Sequence, residues 1–203
     1  SLPPLLQAVL EGRVGPNELD VDAALDVVRR NLKEGDELRL EFETKYGEYK
    51  ELERLGAVLL RLKDWDVEPV VFRSGDKPVV FRLFTGPRGD VERVIERLSR
   101  LGVICRSAPL DSEAALLVVY PRRAETVVSD AIEGAGLREL ELPDSLKVPM
   151  DEAMRSVKQE LLRKRRELLE VLSEVANLMR SAVEHEYASR LELLKRLSKL
   201  CRE

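Results

Sequence analysis

The chain has 203 residues, of which 35% are charged, 44% hydrophobic and 4% aromatic, with 34 basic against 38 acidic side chains and a formal net charge of −4. A length of this order suits one core, or a domain with an elongated appendage; the aliphatic content excludes a disordered chain, and the charge balance excludes a strongly basic nucleic-acid binder. The two cysteines, Cys105 and Cys201, lie far apart without CxxC or Cys/His spacing, so no disulfide framework or zinc site is expected and a reducing compartment fits.

The longest apolar run, Ala114 to Tyr120, falls far short of the ~20 residues that span a bilayer. No basic stretch leads into an apolar one at the N-terminus, and no signal peptide is expected. Leu2 to Leu10 reads as a short amphipathic helix ended by Gly12. From Leu19 to Asp64 no proline occurs, and Val21, Leu25, Val28 and Leu32, then Phe42, Tyr49, Leu52, Leu55, Leu59 and Leu62, keep helical spacing. Leu38, Leu40 and Phe42 also alternate as in a short strand; helix is favoured over residues 36–43, with a break or bend near Gly35.

The middle of the chain carries a duplication. Val79–Phe84 reads as a buried strand, Gly86–Gly89 as a turn, Asp90 as a helix N-cap, and Val91, Val94, Ile95, Leu98 and Leu101 as one helical face stopped by Gly102. A strand from Val103 to Ala108 follows. The second copy runs through strand Ala115–Tyr120, the turn at Pro121, a helix from Ala124 to Ala135, the stop at Gly136 and strand Leu137–Leu142. At an offset of 34 residues Pro87 matches Pro121, Arg88 matches Arg122, Val94 matches Val128, Leu98 matches Ile132 and Gly102 matches Gly136. The order βαββαβ predicts a ferredoxin-like lobe with its first and third strands central.

After Pro149, Asp151 and Glu152 suit the first turn of a helix. Met154, Val157, Leu161, Leu168, Leu172, Val175, Met179 and Ala182, then Tyr187, Leu191, Leu194, Leu197 and Cys201, form a stripe that asks for a partner along its whole length. Residues 1–64 carry 10 basic and 14 acidic side chains and residues 150–203 carry 12 and 10, an opposite bias that favours antiparallel pairing. The expected architecture is α+β: an N-terminal helical arm (1–64), a duplicated α/β lobe (65–149), and a long C-terminal helix (150–203) that returns along the arm as an antiparallel coiled coil.

No constellation reads as an active site. His185, the one histidine, has no nucleophile beside it in sequence and reads as a helix-surface residue. Gly86-Pro87-Arg88-Gly89-Asp90 contains Arg-Gly-Asp but reads as a turn and cap; without Gly-Lys-Ser/Thr it is no P-loop. The basic run Arg163 to Arg166 is flanked by Glu160, Glu167 and Glu170 and lacks stacking aromatics, so it reads as a solvated face pairing with the acidic arm rather than a nucleic-acid site. No metal, cofactor or small-molecule substrate is expected. A ligand-sensing regulatory module of βαββαβ order with a coiled-coil dimerisation arm is the alternative, its ligand near the Gly86–Gly89 turn.

From Leu116 the run LLVVYPRRAETVVSDAIEGAGLRELELPDSLKVPMDEAM, followed by a long Glu/Arg/Leu helix and preceded by VVFRLFTGPRGDVERVIERL, resembles the cytoplasmic N-terminal region of subunit I (subunit a) of V-type and archaeal A-type ATPases, over about residues 40–203. The resemblance implies a non-enzymatic stator element on the cytoplasmic face of the membrane. It would link the peripheral stalks and the collar and central-stalk region to the membrane sector, and resist torque during proton or sodium transport. This chain shows no transmembrane helix and thus no counterpart of the family's membrane arginine, and residues 1–20 show no proximal lobe. The turn arginines Arg88, Arg122 and Arg123 are the candidate partner-binding residues.

Overall fold

The computed structural model describes residues 1–200, with side chains through residue 198; Cys201 of the apolar stripe lies outside the described residues. It is a mixed α+β structure with a four-stranded antiparallel sheet and a long C-terminal helix. Two compact units form, one from Ser1–Glu51 with the chain from Glu160 onward, the other from Leu52–Gln159.

The first unit is helical. α1 (Pro4–Leu10) starts with proline in its first turn, where the missing N–H costs nothing, and α2 (Val21–Asn31) is capped by the Asp20 carboxylate, which accepts from Ala23 N at 3.0 Å. The break near Gly35 is a reversal rather than a bend. The link between α2 and α3 (Glu37–Asp64) puts Gly35 at φ +84°, where a Cβ is strained, and α3 then runs antiparallel to α2. Arg29 meets Glu43 at 2.9 Å and Asp22 accepts from the Tyr46 hydroxyl at 2.6 Å, so early residues face late ones. Residues 37–43 are helical throughout.

α6 (Met150–Leu200) completes this unit from Glu160. Leu168, Leu172 and Val175, with Val171 and Ala176, close over Leu6, Ala24, Val28, Phe42 and Tyr49 in one buried cluster. The α6 segment runs antiparallel to α3, with Lys45 against Glu167 at 3.6 Å and Glu48 against Lys164. The expectation of a buried stripe along the whole helix is corrected: Ala182 is exposed, and so is every residue from Glu184 to Ser198. An apolar stripe requires a partner, and the described chain supplies none there.

The second unit holds the sheet. β1 (Val79–Gly86), β2 (Ile104–Leu110), β3 (Glu113–Pro121) and β4 (Arg138–Glu139) lie in the order β2-β3-β1-β4, all neighbours antiparallel. The two central strands are the apolar ones, in register with Leu83 opposite Leu117. α4 (Arg88–Ser99) and α5 (Glu125–Ile132) cover one face: Val91, Val94, Leu98, Val128 and Ile132 pack on Phe84, Leu116, Val118 and Tyr120. The alternate strand residues Leu83 and Thr85 point to the other face, where Arg54 of α3 reaches Thr85.

Three local expectations are corrected. The N-cap position of α4 is Pro87, and Asp90 lies inside the first turn. Gly86 is the last strand residue, while Arg88 and Gly89 are already helical. The fourth strand is two residues, not six: one further bond, Leu140 N to Leu83 O at 2.8 Å, ends the ladder, after which Leu142 and Leu146 turn inward and Pro143 has no N–H to extend it. The matched glycines Gly102 and Gly136 share φ values of +69° and +72°, the left-handed conformation that ends the helical half of each copy.

Candidate functional site

The three turn arginines do not form one cluster. Arg88 opens α4 just past the end of β1, and Arg122 and Arg123 follow the end of β3 in a 3-10 turn, Arg122–Ala124. The central strands are antiparallel, with Gly86 opposite Ala114 and Val79 opposite Pro121, so these turns sit at opposite ends of the sheet, about 23 Å apart at ~3.3 Å per residue. A single partner contacting all three would have to span the lobe.

The two ends differ in chemistry. Arg122 is tied down: its guanidinium donates to Lys77 O at 2.8 Å and Gly75 O at 3.1 Å and lies 3.5 Å from Asp76. That role holds the segment before β1, and a partner would compete with it. Arg123 and Arg88 are exposed, and neither makes a hydrogen bond or ion pair with a described residue. At the Arg88 end Arg93 bonds Asp90, and a shallow recess is lined by Asp90, Arg93, Arg97 and Gly134–Gly136. Arg93 and Arg97 stand one helical turn apart on the exposed side of α4; their i, i+4 spacing is the sequence signal that could have pointed to them.

Beside this end lies a polar network that single-residue reading missed. Arg54 donates to the Thr85 hydroxyl at 2.7 Å and to Glu113 at 2.7 Å, and Arg138 reaches Glu113 at 2.8 Å. Thr85 is 3% exposed, so its hydroxyl needs this partner. On the helix-covered face, Arg82 makes a bidentate pair with Glu139 at 2.8 and 2.7 Å and lies 5.0 Å from the Phe84 ring centre. Hydrogen bonding to Glu139 pushes the Arg82 pKa up, so it is a permanent charge joining β1 to the short β4. These are fastening interactions: they tie α3, β3 and the short β4 to β1.

Two candidates in the sequence resolve into structural roles. Gly86, placed at the turn where a ligand-sensing module would hold its ligand, is filled against: an added Cβ would stand 2.7 Å from Leu137 Cδ2. In the basic run, Lys164 pairs with Glu48 and Arg165 with Tyr49, and Arg163 with Glu160 and Glu167. His185 is exposed. Among the described residues no group of three or more His, Cys, Asp or Glu is placed to hold a metal ion, and no helix is long and apolar enough to cross a membrane.

No protein-family model matches the chain, and no curated protein matches it. Among solved structures, the chain is similar to the crystal structure of the cytoplasmic N-terminal domain of subunit I, homolog of subunit a, of V-ATPase. The identity is 18%, covering 91% of this chain and 68% of that one, with a TM-score of 0.38.

Proposed function

We propose that this chain is a non-catalytic, stator-type element of a V/A-type rotary ATPase. In this reading it is the cytoplasmic part of the ion-translocating subunit and bridges peripheral stalks to the membrane sector. The observation that carries the reading is the run from Leu116 to Ala153. In it the family-like order of Val-rich strand, helix ending near Gly-Leu, short strand, Leu-Pro link and charged helix meets β3, α5, β4, the Leu142–Pro143 link and α6. The sheet order β2-β3-β1-β4 supports a ferredoxin-like lobe. The facing of α3 and α6 through Lys45–Glu167 and Glu48–Lys164 supports an antiparallel coiled coil. Such a strut carries load through helix pairs and sheet ladders and needs no pocket.

The test is retention of the folded chain on an immobilised peripheral-stalk heterodimer from the same source. Binding is expected, and loss of binding with Arg88→Glu but not with Arg123→Glu would assign it to the α4 end of the lobe. A folded sample that is not retained overturns the reading. A thermal-shift response to an amino acid or nucleotide would turn it toward ligand sensing, since a ligand at 100 times its Kd adds about 2.7 kcal/mol.

A further inference from the structure

The last third of α6 displays an apolar seam with no partner among the described residues. Tyr187 is 70% exposed, Leu191 55%, Leu194 61% and Leu197 49%. At 100° per residue, Val183, Tyr187, Leu191 and Leu194 fall within about 80° of one another, a stripe as narrow as a coiled-coil seam. Scattered exposed apolar residues need no explanation, but three aligned ones, Tyr187, Leu191 and Leu194, above the half-buried Val183 do.

The charges beside the seam say what covers it. Glu186 pairs with Arg190 at 2.6 Å and Glu192 with Arg196 at 3.2 Å, each within the helix. Glu184 and Lys195, which border the seam on one flank at its two ends, form no ion pair with a described residue. In an antiparallel pair of identical helices, like flanks face each other. Setting Tyr187 level with Leu191 of a second copy brings Glu184 beside Lys195 of that copy, twice by symmetry. An in-register parallel pair instead sets Arg190 against Lys195 of the second copy, like charge against like.

We propose that this seam is a self-association surface: residues 183–195 of α6 pair antiparallel with the same residues of a second copy of the chain. The inference is independent of the stator reading. The seam is about 20 Å long, which puts the interface at the small end of specific ones and makes the dimer concentration-dependent.

Sedimentation equilibrium of the full chain up to several hundred micromolar tests it. The expected mass rises from 23.1 kDa toward twice that value, and Leu191→Glu with Leu194→Glu holds it at the monomer with unchanged circular dichroism, because both residues are exposed in the monomer. Lys195→Glu alone weakens the dimer by about threefold or more, and adding Glu184→Lys restores it. A chain monomeric at every concentration overturns the proposal, as does a dimer indifferent to Leu191→Glu with Leu194→Glu. A monomeric chain that loses peripheral-stalk binding in that same variant assigns the seam to a foreign helix, overturning self-association while leaving the stator reading standing.

Discussion

The Arg165 guanidinium lies over the Tyr49 ring, 5.5 Å from its centre, while donating to the Tyr49 hydroxyl at 2.8 Å and to Pro16 O at 3.3 Å. One side chain of α6 thus fastens both α3 and the loop before α2. Arg165→Ala should destabilise the chain by about 2 kcal/mol, as expected for charge-assisted bonds, and Tyr49→Phe by about 1 kcal/mol, since the stacking survives. Chemical denaturation of the two variants checks the order; equal costs would refute it.

The glycines of α3 separate propensity from packing. A Cβ at Gly47 meets nothing within 4 Å, so Gly47→Ala should stabilise by up to about 1 kcal/mol. A Cβ at Gly56 would stand 3.3 Å from Val157 Cγ1, and there the same gain is offset by crowding. Thermal melts should rank Gly47→Ala above wild type and above Gly56→Ala.

The sequence made the lobe readable because each copy repeats one grammar: β-branched run, proline turn, 3.6-period helix, glycine stop. It was less informative about the N-terminal arm, where Val21–Leu32 and Phe42–Leu62 carry the same period and only Gly35 hints that the chain doubles back. A period says which face is buried, not which neighbour buries it. The candidate arginines illustrate the same limit: Arg88 and Arg122 are equivalent in sequence, yet strand antiparallelism sends them to opposite ends.

Stability should fall at both ends of the pH scale through one pair. The hydrogen bond from Lys164 holds the Glu48 carboxyl below the ordinary range, and the bond to Glu48 raises Lys164. The Glu48 contribution is present above its unfolded value of about 4.3 and lost as pH drops through its lowered folded value; the Lys164 contribution is present below about 10.4 and lost as pH climbs through its raised one. Asp22, lowered by the Tyr46 hydroxyl, adds to the acid limb. Lys164→Met should flatten both limbs in denaturation curves taken below pH ~4 and above pH ~10.5, and undiminished slopes would count against the pair. Each effect is small because the Glu48 side chain is half exposed and water screens the pair.

Cys105 sits half-buried on β2, and burial pushes its thiol pKa up. In a Cys201→Ser variant, Cys105 should therefore alkylate more slowly with iodoacetamide at pH 7.5 than a free cysteine does, catching up in denaturant. Rates equal to the free thiol in native buffer would contradict this.

The ladder that sets Leu83 opposite Leu117 has a further meaning, because these two residues are also equivalents at the 34-residue offset of the duplication. A pseudo-dyad therefore passes between them and relates β1, α4 and β2 to β3, α5 and β4. Every ladder in the sheet, β1 with β3, β1 with β4 and β2 with β3, joins one half to the other, and none lies within a half. The lobe is an isologous dimer written into a single chain, tethered through Asp111 and Ser112. Neither half can close its own sheet, so they must fold as one cooperative unit.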